Sequence, residues 1–168
     1  MADDHIEIIR GGEELLDAPH ALWLSLRDHH HAVAPELGPI REDRDTWARR
    51  RAQYAAWLAQ DDGAFLLIAR RDGQVLAYAF IRPVHRTSTI WATEHDELDI
   101  ETLSVSPEAR GSGIGARIVA LVREEVARRG YGGLQVTAIA KNVDALRFYE
   151  REGFAPEFIH LRDTTRKP

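Results

Sequence analysis

The sequence predicts a single mixed α/β domain with a central sheet of about six or seven strands, helices on both faces, and a bulged, splayed fourth strand. Three observations carry this. Short apolar runs rich in β-branched residues alternate with segments of helical periodicity. An Asp-Gly turn at Asp72-Gly73 lies between two such runs, the signature of an antiparallel hairpin. Leu98 to Gly115 reads as a strand that feeds a glycine-rich turn and then a helix, which makes the later part of the sheet locally parallel.

Composition fits this class. A chain of 168 residues is long enough to bury a real core, and 44% hydrophobic with 29% charged residues marks a globular chain. No apolar run approaches the roughly 20 residues needed to span a bilayer, so no membrane partner is expected. Met1-Ala2-Asp3-Asp4-His5 is acidic and lacks the basic-then-apolar pattern of a secretory leader, so a cytoplasmic location is expected. With no cysteine there is no disulfide framework, thiolate metal site or cysteine nucleophile. The net charge of −5, with arginines scattered along helices, argues against a nucleic-acid partner.

Taken in order, Ile6, Ile8 and Ile9 form a short first strand closed by Gly11-Gly12. Glu13 to His31 is helical, with Pro19 interrupting its first turns. A Pro/Gly loop follows from Ala34 to Pro39, and Asp45 caps a second helix from Thr46 to Gln60. Trp47, Tyr54, Trp57 and Leu58 share one face of that helix, opposite Arg49 to Arg51 in part. Phe65 to Ala69 and Val75 to Ile81 are the hairpin strands, and Pro83 to Glu97 is a loop or irregular extension holding Trp91. Leu98 to Val105 is the fourth strand. Gly113 to Arg129 is a helix with Ile114, Ile118, Leu121, Val122 and Val126 on its core face, stopped by Gly130. Leu134 to Ala140 is a strand, Asn142 caps a short helix to Arg151 or Glu152, and Phe154 to Leu161 holds a final strand or pair of strands. Residues 162–168 form a loose polar tail.

The glycine-rich turn is a candidate anion site, because a helix N-terminus offers free N–H groups and a favourable dipole. Gly111-Ser112-Gly113-Ile114-Gly115-Ala116 formally matches a dinucleotide fingerprint. Five residues, Ser106 to Arg110, separate it from the strand, however, and no carboxylate follows about 20 positions on to hold a ribose. A P-loop is excluded because no Gly-Lys-Ser/Thr is present. In the strand before the turn, apolar residues occupy even positions at Leu98 and Ile100 and odd ones at Leu103 and Val105. Either a β-bulge shifts the phase, or the strand is buried on both faces.

Leu103-Ser104-Val105-Ser106-Pro107-Glu108-Ala109-Arg110-Gly111-Ser112-Gly113-Ile114-Gly115 resembles the central motif of the GNAT superfamily of acyl-CoA-dependent N-acyltransferases, with Arg110, Gly113 and Gly115 at its R/Q-x-x-G-x-G/A positions. Asn142, Ala145, Phe148, Tyr149, Gly153 and Phe154 match a second motif of that family, N-x-x-A-x-x-F-Y-x-x-x-G-F, in the expected order. The resemblance spans residues 97–158. It implies acetyl-CoA or another acyl-CoA as co-substrate, no metal, and a small-molecule or peptide amine as acceptor. It also implies residues 1–62 as the acceptor side, 63–97 as hairpin and loop, and 98–161 as the acyl-CoA core. Leu103, Ser104 and Val105 would run along pantetheine, and Val105 N–H would polarise the thioester carbonyl. Arg110, Gly111, Ser112, Gly113, Ile114, Gly115 and Ala116 would hold the pyrophosphate, with Asn142, Ala145 and Phe148 completing the site. A homodimer is among the assemblies such a family allows.

Tyr149 falls where the family places a general acid; otherwise it is an aromatic packed beside Phe148. Glu101, at the inferred bulge, is the candidate base, with Asp99 adding negative charge that attracts a cationic amine; otherwise both are rim carboxylates. Asn142 caps its helix, contacts pantetheine, or does both. Three consecutive histidines, His29 to His31, point about 100° apart on a helix and do not converge on a metal. Trp23, His29, His30, Trp47, Tyr78 and Trp91 form a pool of candidate acceptor contacts. The functional reading is an N-acetyltransferase; the rival is a catalytically silent CoA-binding protein of the same fold.

Overall fold

The computed structural model describes residues 6–60 and 62–163. The acidic stretch before Ile6 and the tail beyond Asp163, both read from the sequence above, lie outside the described residues. Five strands form one sheet in chain order: β1 (Glu7–Gly11), β2 (Phe65–Arg71), β3 (Gln74–Arg86), β4 (His95–Val105) and β5 (Gly133–Val136). The first three pairings are antiparallel, and β4–β5 is parallel. Helices α1 (His20–Val33) and α2 (Asp43–Leu58) lie between β1 and β2, α3 (Ile114–Arg129) crosses from β4 to β5, and α4 (Val143–Arg151) follows β5.

The local signals explain most of these elements. Pro19 lacks an N–H and separates a single 3₁₀ turn at Glu13–Leu15 from α1, whose first bond runs from Trp23 N–H to the Pro19 carbonyl at 2.8 Å. Asp72 and Gly73 both take positive φ, 51° and 79°, which the tight β2–β3 turn requires. The stretch from Pro83 resolves into a longer hairpin, with Arg86 opposite His95 and the polar segment 87–94 as its tip. Helix α2 starts earlier than expected. Glu42 occupies the N-cap without a side-chain bond, and Asp45 sits inside the first turn, bonded to Arg49 at 2.9 Å. There it complements the helix dipole rather than capping it.

The sheet has fewer strands than expected because residues 154–163 add none. Pro156 brings no N–H to a ladder, and Phe158, Ile159 and Leu161 are 70%, 80% and 87% exposed, so no apolar face organises the segment. An ion pair from Arg86 to Glu157 tethers it to β3. β5 is likewise shorter than the apolar run from Leu134 suggested.

Two cores form, one on each face. Phe65, Leu67, Ala77, Ala79 and Ile81 pack with Ile114, Ile118, Val119 and Val122 of α3. Leu66, Ile68, Tyr78 and Phe80 pack with Leu22 of α1 and Tyr54 of α2. The alternation is the period of a strand with both faces covered. In β4 it slips by one. Phe80 opposes Thr102 while Ile81 opposes Ile100, so Glu101 is the additional residue of a β-bulge. Leu98 and Ile100 before the bulge, and Leu103 and Val105 after it, all pack on the α3 side. The other face then receives Thr102, whose hydroxyl accepts from the Tyr54 hydroxyl at 2.7 Å, and Ser104, which donates to the Leu22 carbonyl at 3.4 Å.

Glu125 of α3 is a second organising residue. It accepts from Arg128 at 2.7 Å and Arg129 at 2.6 Å on its own helix and from Arg10 of β1 at 3.0 Å. Hydrogen bonds from Arg128 first, then Arg10 and Arg129, hold its carboxyl well below the usual 4.5. A depressed pKa in the fold means that the unfolded chain takes up the proton first. The stabilisation is therefore complete above that usual value and is lost as pH falls below it. Tm of the native chain should drop more steeply than that of Glu125→Gln between about pH 5 and pH 3, and Glu125→Gln should cost about 1–3 kcal/mol near pH 7. Parallel pH profiles in a thermal melt series would overturn this.

Candidate active site

The site lies where β4 loses its second neighbour. β5 pairs with β4 only from Glu97 to Ile100, so the four residues after Glu101 have β3 on one side and a groove on the other. Ser106 N–H donates to the Leu76 carbonyl of β3 at 2.8 Å. Backbone polar groups alternate sides along a strand, so those of Ser104 point to β3 as well and those of Leu103 and Val105 point into the groove. Arg110 confirms the direction by donating to the Val105 carbonyl from the groove side at 3.4 Å. The Ser104 side chain is turned to α1, so neither it nor the backbone polar groups of Ser104 face the groove.

Ser106 to Arg110 make a 3₁₀ turn that carries the chain to the α3 N-terminus. Gly111 and Gly113 take positive φ, 78° and 82°, and a Cβ on either would meet open space. Gly113 is the N-cap of α3, and no side chain caps the helix. The first-turn amides of Ile114, Gly115 and Ala116 therefore have no intrahelical acceptor and remain for an anion. Ser112 is turned inward, donating to the Ala109 carbonyl at 2.6 Å. Gly115 has a different reason to be glycine. A Cβ there would lie 3.1 Å from the Phe148 ring and 3.8 Å from Val105 Cγ2, so its bareness lets β4, α3 and α4 meet. These residues fit an extended polar ligand ending in a phosphate.

On the far side of the groove, Asn142 caps α4 by accepting from Ala145 N–H at 3.3 Å. The same Oδ1 lies 3.3 Å from His29 Nε2 of α1, and Lys141 pairs with Glu36 at 2.7 Å, so α4 is tied to the helices of the other sheet face. Tyr149 stands edge-on to Phe148 and Phe154, with centroids at 5.1 and 5.4 Å. Burial pushes its phenol up to about 12.

Across the sheet, both carboxylates meet arginines. Glu101 accepts from Arg50 of α2 at 2.9 Å and from Arg82 of β3 at 3.2 Å, and Arg82 also pairs with Asp99 at 3.0 Å. Burial raises the Asp99 carboxyl above its usual range, partly opposed by Arg82. Arg50 lies over the Trp23 ring at 4.3 Å and near Tyr54, and Arg82 lies over Trp57 at 4.9 Å. Neither arginine stands out in the sequence reading, yet one signal was present. Arg50 is three residues after Trp47 and four before Tyr54, which places it on their helix face rather than opposite it. Of the aromatic pool, Trp47 stacks on His20 at 4.9 Å, and the buried Tyr78 lies 3.5 Å from the Tyr54 hydroxyl. Trp91 is exposed at the hairpin tip. Burial, with His29 and Arg50 nearby, lowers the pKa of His30. Among the described residues no cluster of three or more His, Asp or Glu side chains is arranged for a metal, and no helix is long and apolar enough to cross a membrane.

Known proteins share this fold. A mycothiol acetyltransferase of Brachybacterium faecium is 29% identical over 156 residues, which are 92% of this chain and 43% of that protein. The chain thus spans about half the length of the curated relatives of this name that it matches. A mutant of the BH1408 protein from Bacillus halodurans superposes with a TM-score of 0.79 at 15% identity, covering 93% of this chain and 97% of the other. The aminoglycoside N-acetyltransferase AAC(6')-Iy, solved with CoA, gives 0.70 at 17% identity, covering 97% and 96%. Residues 23–154 match the family described as "Acetyltransferase (GNAT) family". With that match over most of its length and the splayed β4 with its glycine-capped α3, the chain belongs to the GNAT family of acetyltransferases.

Proposed function

We propose that the chain transfers an acetyl group from acetyl-CoA to a primary amine of a small molecule or peptide. The observation that carries this is the continuity of the groove. Backbone groups of Leu103 and Val105 line one wall, and the wall ends at the uncapped α3 N-terminus. An extended pantetheine arm and a pyrophosphate need that sequence of partners. Bound acetyl-CoA supplies an activated thioester. Val105 N–H faces its carbonyl oxygen and stabilises developing negative charge. The amides from Gly111 to Ala116 hold the phosphates, with Arg110 beside them. Asn142, Ala145 and Phe148 form the opposite wall.

Tyr149 is the acid in this reading. With its phenol near 12 it keeps its proton across the physiological range, well above a thiol's reference value of about 8.5. It therefore acts by donating a hydrogen bond to sulfur as the amine nitrogen bonds to the acetyl carbon and the C–S bond breaks. The CoA thiolate leaves and takes its proton from solvent. Glu101, held by two guanidinia at the point where β4 and β5 part, takes the amine proton through water. CoA-bound relatives of the same fold support the donor, and the acetyltransferase names of the matched relatives support the acetyl group.

Acetyl-CoA at about 100 times its Kd should stabilise the native chain by roughly 2.7 kcal/mol in a thermal melt. Gly113→Val, which puts a β-branched residue at φ 82°, should remove most of that shift. Stabilisation by NAD(H) with none by CoA would overturn the donor assignment. Tyr149→Phe should lower kcat by about 100-fold with CoA binding retained, and native kcat should show no alkaline loss below about pH 10. Glu101→Gln should lose rate mainly at low pH; an unchanged profile assigns that carboxylate to holding the arginines. CoA binding with no turnover of any amine would favour the silent CoA-binding protein.

A further inference from the structure

Resting on the acetyl-transfer reading, we infer that the acceptor is an amine that also carries a carboxylate, and that Arg50 and Arg82 read that carboxylate. A cationic acceptor drawn by free acidic groups is what Asp99 and Glu101 suggested in isolation. The structure gives those carboxylates protein partners instead. Each Glu101 oxygen has its own guanidinium, and Asp99 has Arg82. Two carboxylates and two guanidinia leave the mouth without net charge. A polycation placed there would bring charge that nothing opposes, whereas a zwitterion would bring none.

The hydrogen-bond inventory points the same way. Two guanidinia offer about ten N–H donors. Among the described residues, Arg50 and Arg82 use three of them on these carboxylates. The Trp23 indole N–H, on the ring beneath Arg50, is buried with no acceptor. What the place lacks is an acceptor oxygen, not a donor. A planar carboxylate matches the fork of a guanidinium, and stacking on Trp23 and Trp57 holds both forks in position. Both side chains remain reachable, at 20% and 28% exposure. The amine of such an acceptor would then face Glu101, one residue beyond the last β4–β5 pair and beside the open stretch of β4.

The test is thiol release from acetyl-CoA with a panel of L-amino acids and dipeptides, each supplied as the free acid, as its C-terminal amide and as the decarboxylated amine. The expected result is at least a tenfold higher kcat/KM for the free acid than for its amide in the best-accepted pairs. Arg50→Met and Arg82→Met keep the stacked stem and remove the fork, and either should collapse the acid-to-amide ratio toward one. That ratio is internal to each variant, so a general loss of activity does not mimic the effect. Equal rates, or preference for amides or decarboxylated amines, would overturn this inference and leave acetyl transfer standing. So would a ratio that survives both substitutions. No thiol release with any member of the panel also overturns it, and the acetyl-CoA melt then decides separately whether the donor reading survives.

Discussion

β4 carries one residue more than β3 can pair, and a strand with covered faces cannot absorb that residue without exchanging which side chains go where. The exchange keeps Leu98, Ile100, Leu103 and Val105 against α3 and leaves polar residues for the face toward α1 and α2. It also falls where β5 stops following β4. The bulge thus coincides with the change from a strand paired on both sides to one with an open edge, and places a carboxylate at the fork. The groove and the uncapped α3 N-terminus are both positioned relative to Glu101.

The polar face behind the bulge is organised by pairing and not by exposure. Tyr54 and Thr102 satisfy each other, Ser104 finds a backbone carbonyl, and Asp99 and Glu101 share two arginines. Each arginine is laid on an aromatic ring, which fixes a long side chain that would otherwise be costly to order. The aromatic residues of α2 therefore serve two ends. Tyr54 fills the core against Phe80 at 4.1 Å, and Trp57 gives Arg82 its platform. Core packing and the placement of a charged side chain share one helix face.

Much of this was legible in the chain. The even-to-odd change between Ile100 and Leu103 located the bulge, the Asp-Gly pair located the hairpin, and Asn142 announced the α4 cap. These signals are local, set by strand period, turn geometry or one side chain. What the chain does not show locally has a tertiary origin. Phe154 to Leu161 has strand composition, yet Pro156 and the lack of a covering layer leave it irregular. Asp45 has capping chemistry, but α2 starts two residues before it. Arg50 and Arg82 come from different elements, and only folding brings both to Glu101. His29 meets Asn142 for the same reason, across more than a hundred residues of sequence.

β2, β3 and β4 are neighbours both along the chain and across the sheet, so the two inner pairings close over short loops. β5 joins from beyond α3, and it does so through a brief parallel ladder. That ladder joins only Glu97 to Ile100 with Gly133 to Val136, the shortest pairing of the sheet among the described residues. The groove is bounded by β4 of the meander on one side and by α4, which follows β5, on the other. One wall is thus part of a long antiparallel meander, while the other follows the shortest ladder among the described residues. A ligand lying between them would act as a clamp, joining two walls that few strand pairs connect directly.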